Sequence, residues 1–140
     1  MQQEILDTHN RYRAEKRLPY LDWDNNVAAS AQRWADYLAS TGRFEHSRGS
    51  GNGDNLWKGT SGRFSFTSMV DSWGAEKRYF KYGKFPDVST TGNWFDVGHY
   101  TQLVWRNTRS VGCGGRDGRG SYILVCQYSP PGNYRGQYPY

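Results

Sequence analysis

Gly98-His99-Tyr100-Thr101-Gln102-Leu103-Val104-Trp105 is the stretch on which the reading of this chain turns. It reads as a short helix, His99 to Trp105, opened by Gly98 and carrying one of three histidines in the chain. Downstream, two strand-like segments follow at about 110–116 and 121–129, and Arg116-Asp117-Gly118-Arg119-Gly120 supplies a hairpin turn between them. Pro130-Pro131-Gly132 ends the second strand, and Asn133 to Tyr140 is turn-rich and aromatic. Upstream lies a long loop, 81–98, holding Tyr82, Phe85, Pro86, Trp94 and Phe95. Long ordered loops in small domains often carry function. A third helix begins near Ser65 or Thr67, with the stripe Met69, Val70, Trp73, Glu76, Lys77 and Phe80, so a carboxylate falls on an apolar face. Residues 43–63 are irregular and glycine-punctuated, with short strand-like pieces around Phe44 and Leu56.

The first forty residues are helical. Ile5, Leu6, His9, Tyr12 and Lys16 recur at three- and four-residue steps, predicting a helix over 3–17 that stops before Pro19. Asp24 is a good N-cap for a second helix, with Val27, Ala28, Ala31, Trp34, Ala35 and Leu38 as its buried stripe and Gly42 as its C-cap. Helices early and a hairpin late predict an α+β fold, helices packed on a small sheet.

The 140 residues fit one ordinary domain. Leu, Ile, Val and Phe number only 22, which with a net charge of +5 is a composition often seen in disordered chains. The 6 Trp, 11 Tyr and 6 Phe reverse that reading, because aromatic side chains bury large areas and replace missing aliphatics. The longest aliphatic run, Ile123-Leu124-Val125, excludes a membrane-spanning helix. The 13 Arg and 5 Lys are scattered without a run or a nucleic-acid motif, so nucleic acid is not an expected partner. Met1 leads directly into an amphipathic pattern with no leader-like segment, compatible with a cytosolic chain or with the mature form of a processed one.

Cys113 and Cys126 sit almost symmetrically about residues 119–120, so they are expected to face each other across the hairpin and to form a disulfide; two buried free thiols are the alternative. A disulfide favours an oxidising compartment.

The chemistry-bearing residues are His46, Asp54, Glu76 and His99. Two imidazoles and two carboxylates that met would satisfy one another and make a divalent-cation site, Zn²⁺ foremost. Spread over residues 46–99, they are on spacing alone better explained by separate structural roles. Ser47 beside His46 does not make a serine nucleophile, since adjacent residues rarely face each other productively and no G-x-S-x-G elbow is present.

These residues also carry a resemblance. Gly98 to Trp105 resembles one signature of the CAP superfamily (cysteine-rich secretory proteins, antigen 5 and pathogenesis-related 1 proteins), and Tyr122-Ile123-Leu124-Val125-Cys126-Gln127-Tyr128-Ser129-Pro130-Pro131-Gly132-Asn133-Tyr134 resembles its second. Asn10 with Arg13, Pro19 to Trp23, His46-Ser47 and Asp54-Asn55 fit as well, through to the Gln137–Tyr140 end. The resemblance implies a single CAP domain over 1–140, a three-layer α-β-α sandwich with a central antiparallel sheet. It implies a cleft where His46 and His99 hold a divalent metal beside the acids Asp54 and Glu76, and it assigns no catalytic residue. Asp54 stands where the family usually has Glu, so a longer or water-mediated contact to its histidine is expected. One cysteine pair stands where plant relatives usually have three. The resemblance further implies a secreted, extracellular protein of defence or host interaction that binds an apolar ligand, a sterol or fatty acid. Tyr82, Phe85, Trp94 and Phe95 are the expected ligand surface, unless they pack the core. A metal-dependent hydrolase using the same cleft and a glycan- or protein-binding module are the alternatives.

Overall fold

A computed structural model describes residues 1–140. Its frame is the hairpin of β3 (Ser110–Gly118) and β4 (Ser121–Ser129), whose antiparallel register sets Cys113 opposite Cys126. The two turn residues, Arg119 and Gly120, have φ of 56° and 81°. A two-residue turn with both central residues left-handed matches the twist of the strands it joins. The cysteines are disulfide-bonded, with Cα atoms 4.1 Å apart, as their symmetry about the turn predicted.

β2 (Gly53–Thr60) pairs antiparallel with β4, and β1 (Asp22–Trp23) pairs parallel with β3, giving the order β1-β3-β4-β2. The sheet is therefore antiparallel across its three long strands, as expected, and mixed only through its two-residue edge strand. Alternation along β4 then sorts the core. Ile123 and Val125 face α2 (Asn25–Thr41) and bury Ala31, Ala35 and Leu38 with Leu56. Leu124, Cys126 and Tyr128 face the other way, toward Ile5 and Tyr12 of α1 (Gln2–Glu15), Met69, Val70 and Trp73 of α3 (Phe66–Gly74), and Tyr100 and Leu103 of α4 (Gly98–Leu103). Both sheet faces are covered, which makes the three-layer α-β-α sandwich.

Local chemistry accounts for the boundaries. The Asp24 carboxylate accepts from the Asn26 and Val27 amides, and Gly42 closes α2 with φ 74° and a bond from its N–H to the Leu38 carbonyl. α2 lies so close to the sheet that a Cβ built on Gly112 would meet the Ala28 backbone nitrogen at 2.2 Å, and one on Gly114 the Gln32 Cα at 2.5 Å. α1 ends two residues earlier than predicted because Arg17 turns left-handed (φ 54°) and the Leu18 N–H reaches back to the Arg13 carbonyl.

Two expectations are corrected. The third helix does not run on to Phe80: it is capped by Ser65, ends at Gly74, and tightens into a 3₁₀ turn over Ala75–Tyr79 that carries Glu76. The segment around Phe44 forms no strand, and Phe44 is exposed.

One residue locks α1 to the α4 region. Arg13 is fully buried, and its guanidinium donates to the carbonyls of Pro19 (2.6 Å), Leu103 (3.1 Å) and Trp105 (2.9 Å), with longer bonds to those of Arg106 and Thr108. Burial lowers its pKa to about 10, so it stays charged at neutral pH.

Candidate functional site

α4 places His99 in its first turn, where backbone N–H groups lack helical partners. Glu76 supplies them: its Oε1 accepts from the amides of His99 (3.0 Å) and Tyr100 (3.2 Å), while its Oε2 takes His99 Nδ1 at 2.7 Å. The imidazole also stacks on Trp73, with centroids 6.0 Å apart and planes 14° apart. Asn55 of β2 donates its amide to the His99 carbonyl at 3.1 Å. The odd carboxylate on an apolar stripe thus positions a histidine and the helix that bears it.

His46 lies in the irregular segment after α2, and its Nδ1 bonds directly to Asp54 Oδ1 at the start of β2. The other carboxylate oxygen accepts from the Ser47 amide (2.8 Å) and hydroxyl (2.7 Å). The expected longer or water-mediated contact is therefore corrected: the 46–47 segment comes up to the shorter side chain and bonds it three times. This bond to Asp54 raises the His46 pKa above the usual histidine value, against a smaller opposing effect of burial.

The two halves meet. His46, Asp54, Asn55 and His99 line one cleft of about 230 Å³, with Trp94 and Phe95 on its rim and Glu76 behind His99. Both Nδ1 atoms are spent on carboxylates, which can only accept and so make Nδ1 the N–H donor, and neither Nε2 has a protein hydrogen-bond partner. No group of three or more His, Cys, Asp or Glu is arranged to hold an ion. The His46 side chain is 61% exposed and that of His99 32%, so the cleft is open to solvent.

The loop aromatics do not form one surface. Trp94 and Phe95 stack at 4.1 Å on the cleft rim, with Phe95 67% exposed. Phe85 is buried with Val88, Val97 and Trp105, and Tyr82 stacks on Tyr138 of the tail. The four therefore do not share one face: Phe85 fills a small core of its own, Tyr82 packs on the tail, and Trp94 and Phe95 stand at the cleft.

His9, the third histidine, is structural. It is fully buried, its Nδ1 bonds the Ile5 carbonyl at 2.9 Å, and its Nε2 bonds the Tyr128 hydroxyl at 2.7 Å; burial lowers its pKa to about 4. Asn55 also donates to that hydroxyl, at 3.3 Å. Sequence reasoning missed Asn55, Gln102 and Asn133 as cleft residues, although all three stand inside the quoted motifs. Gln102 Oε1 accepts from the Gly132 amide and Asn133 Nδ2 donates to the Gly98 carbonyl, stitching the tail to α4.

A family model for the cysteine-rich secretory protein family, CAP, matches residues 6–128. Pathogenesis-related protein 1A of Nicotiana tabacum is 41% identical across 99% of this chain and 80% of its own length, and pathogenesis-related protein 1 of Arabidopsis thaliana is 39% identical across 99% and 82%. The crystal structure of NaASP2 with Zn²⁺ superposes with a TM-score of 0.84 at 24% identity, covering 99% of this chain and 83% of that one. The structure of BmVAL-1 gives 0.79 at 26%, covering 99% and 80%. On the family match and the tobacco and Arabidopsis relatives together, the chain belongs to the cysteine-rich secretory protein family, CAP.

Proposed function

We propose that this chain is a single secreted CAP domain, 1–140, of the pathogenesis-related 1 kind, whose cleft binds a divalent cation, Zn²⁺ first, beside an apolar ligand. The observation that carries the reading is that His46 and His99 line one cleft, each with Nδ1 tied to a carboxylate and Nε2 unspent. Histidine ligands to metals usually donate their second ring nitrogen to a carboxylate, which orients the ring and raises its basicity. The donor set fits an open site with two protein ligands, the remaining positions going to water or to a second ligand. When bound, the cation would supply positive charge and Lewis acidity. The chain's own residues do the rest: Asp54 and Glu76 hold the rings, and Trp94 and Phe95 offer an apolar wall to a sterol or fatty-acid chain. The reading is of binding, with no turnover proposed. The disulfide supports an oxidising, extracellular setting. Zn²⁺ titration calorimetry at pH 7 tests it. Binding should be lost in His46→Ala and His99→Ala, and unchanged affinity in both variants would overturn it.

A further inference from the structure

α2 carries a second cleft on the layer away from α1 and α3. It has a volume of about 310 Å³ and is lined by Ser30, Arg33, Trp34, Tyr37, Arg48 and Gln127 among others. Gln127 continues the β4 face that carries Ile123 and Val125, and it lines the cleft with 1% exposure. Its Oε1 accepts from Asn52 Nδ2 at 3.1 Å, which fixes the plane of the amide. Its Nε2 is buried with no hydrogen-bond partner. A buried donor left unpaired is uncommon and calls for an acceptor.

The walls supply the rest of a recognition site. Trp34 and Tyr37, one turn apart on α2, hold their rings 4.8 Å apart at 31°, and the Trp34 indole N–H is anchored on the Glu45 carbonyl at 2.9 Å. That makes a fixed aromatic platform. Arg33 and Arg48 are exposed, neither is paired with a carboxylate, and no acidic residue lines the cleft.

We propose that this cleft binds an acidic oligosaccharide, a pyranose chain bearing carboxylate or sulfate groups. A pyranose presents a C–H face to an aromatic ring, ring and hydroxyl oxygens to an amide donor, and its acid groups to guanidinium forks. A neutral sugar would leave both arginines unused, and a free anion would leave the aromatic pair unused. The site is distinct from the histidine cleft, so its failure leaves that reading untouched.

Calorimetry with a hexagalacturonate, a heparin hexasaccharide, neutral maltohexaose and inorganic sulfate tests the proposal. One or both acidic hexasaccharides should bind, with maltohexaose and sulfate weaker by about tenfold or more. Arg33→Ser/Arg48→Ser should weaken binding by about tenfold or more, as should Trp34→Ala, with Tyr37→Ala in its place if circular dichroism shows the tryptophan variant unfolded. Gln127→Leu should weaken it severalfold. Arg63→Ser/Arg135→Ser, which removes equal charge elsewhere, should not. Absence of acidic-sugar binding, equal affinity for sulfate, or equal losses in the two arginine pairs would overturn the proposal.

Discussion

The buried histidine of α1 sets an acid limit on the fold. His9 holds a proton only below about pH 4, against about 6.5 for an exposed histidine. Its folded-state pKa is depressed because burial disfavours the charged ring and the nearby Arg13 charge opposes it further. The unfolded chain therefore takes up a proton that the folded one refuses. Stability from this group is complete above about pH 6.5 and falls away as pH drops toward 4. The drop from 6.5 to about 4 corresponds to about 3 kcal/mol. Carboxylates titrate in the same window, so the comparison must be differential. His9→Gln removes the titration while keeping a donor for Ile5 and an acceptor for Tyr128. Urea unfolding at pH 7 and at pH 4 should show the unsubstituted chain losing about 3 kcal/mol more than the variant between the two. His46 titrates with the opposite sign: its raised pKa gives stability that is full below about 6.5 and is lost as pH rises through the raised value, outside the His9 window. Equal losses in the two proteins would refute the account, because His9 would then be protonated in the folded state or accommodated without cost.

Two further outcomes follow from buried features. Arg13→Leu removes the donor to five carbonyls and leaves them unpaired against α1; it should cost about 3–5 kcal/mol in chemical denaturation, and a loss under 1 kcal/mol would mean water replaces the guanidinium freely. Gly112→Ala drives a methyl into the α2 backbone and should lower stability by about 1–3 kcal/mol, whereas a loss below about 0.5 kcal/mol in thermal melts would show that α2 can back away from the sheet.

What the sequence disclosed follows the range of the interactions. α2 was legible because Asp24 and Gly42 cap it through bonds to residues within four positions. The hairpin and its disulfide were legible because a left-handed Arg119-Gly120 pair fixes the register for the whole ladder. β1 was missed because two residues show no alternation, and its pairing partner lies nearly ninety positions on. The third helix was overrun because its apolar spacing continues past Gly74, where the chain has already changed pitch. Arg13 stood out only as part of the resemblance and its burial did not, since a guanidinium that satisfies five carbonyls looks in one dimension like any solvated charge. The histidine cleft was invisible to spacing and reached only through the resemblance. Its residues come from four separate stretches of chain joined by the fold, and the second cleft was not anticipated although Gln127 stands inside the second quoted signature.

Glu76 has a consequence for how the cleft can change. One oxygen of this carboxylate secures the amides that begin α4, and the other steers the imidazole. Helix placement and ring aim are thus not separate dials. A ligand that draws His99 forward tugs the whole α4 segment through a shared handle, and the Asn133 bond to Gly98 passes that strain to the C-terminal tail. Should the proposed ligand occupy the cleft, amide exchange in α4 and the tail is expected to change with it, and unchanged exchange on ligand addition would show the two uncoupled.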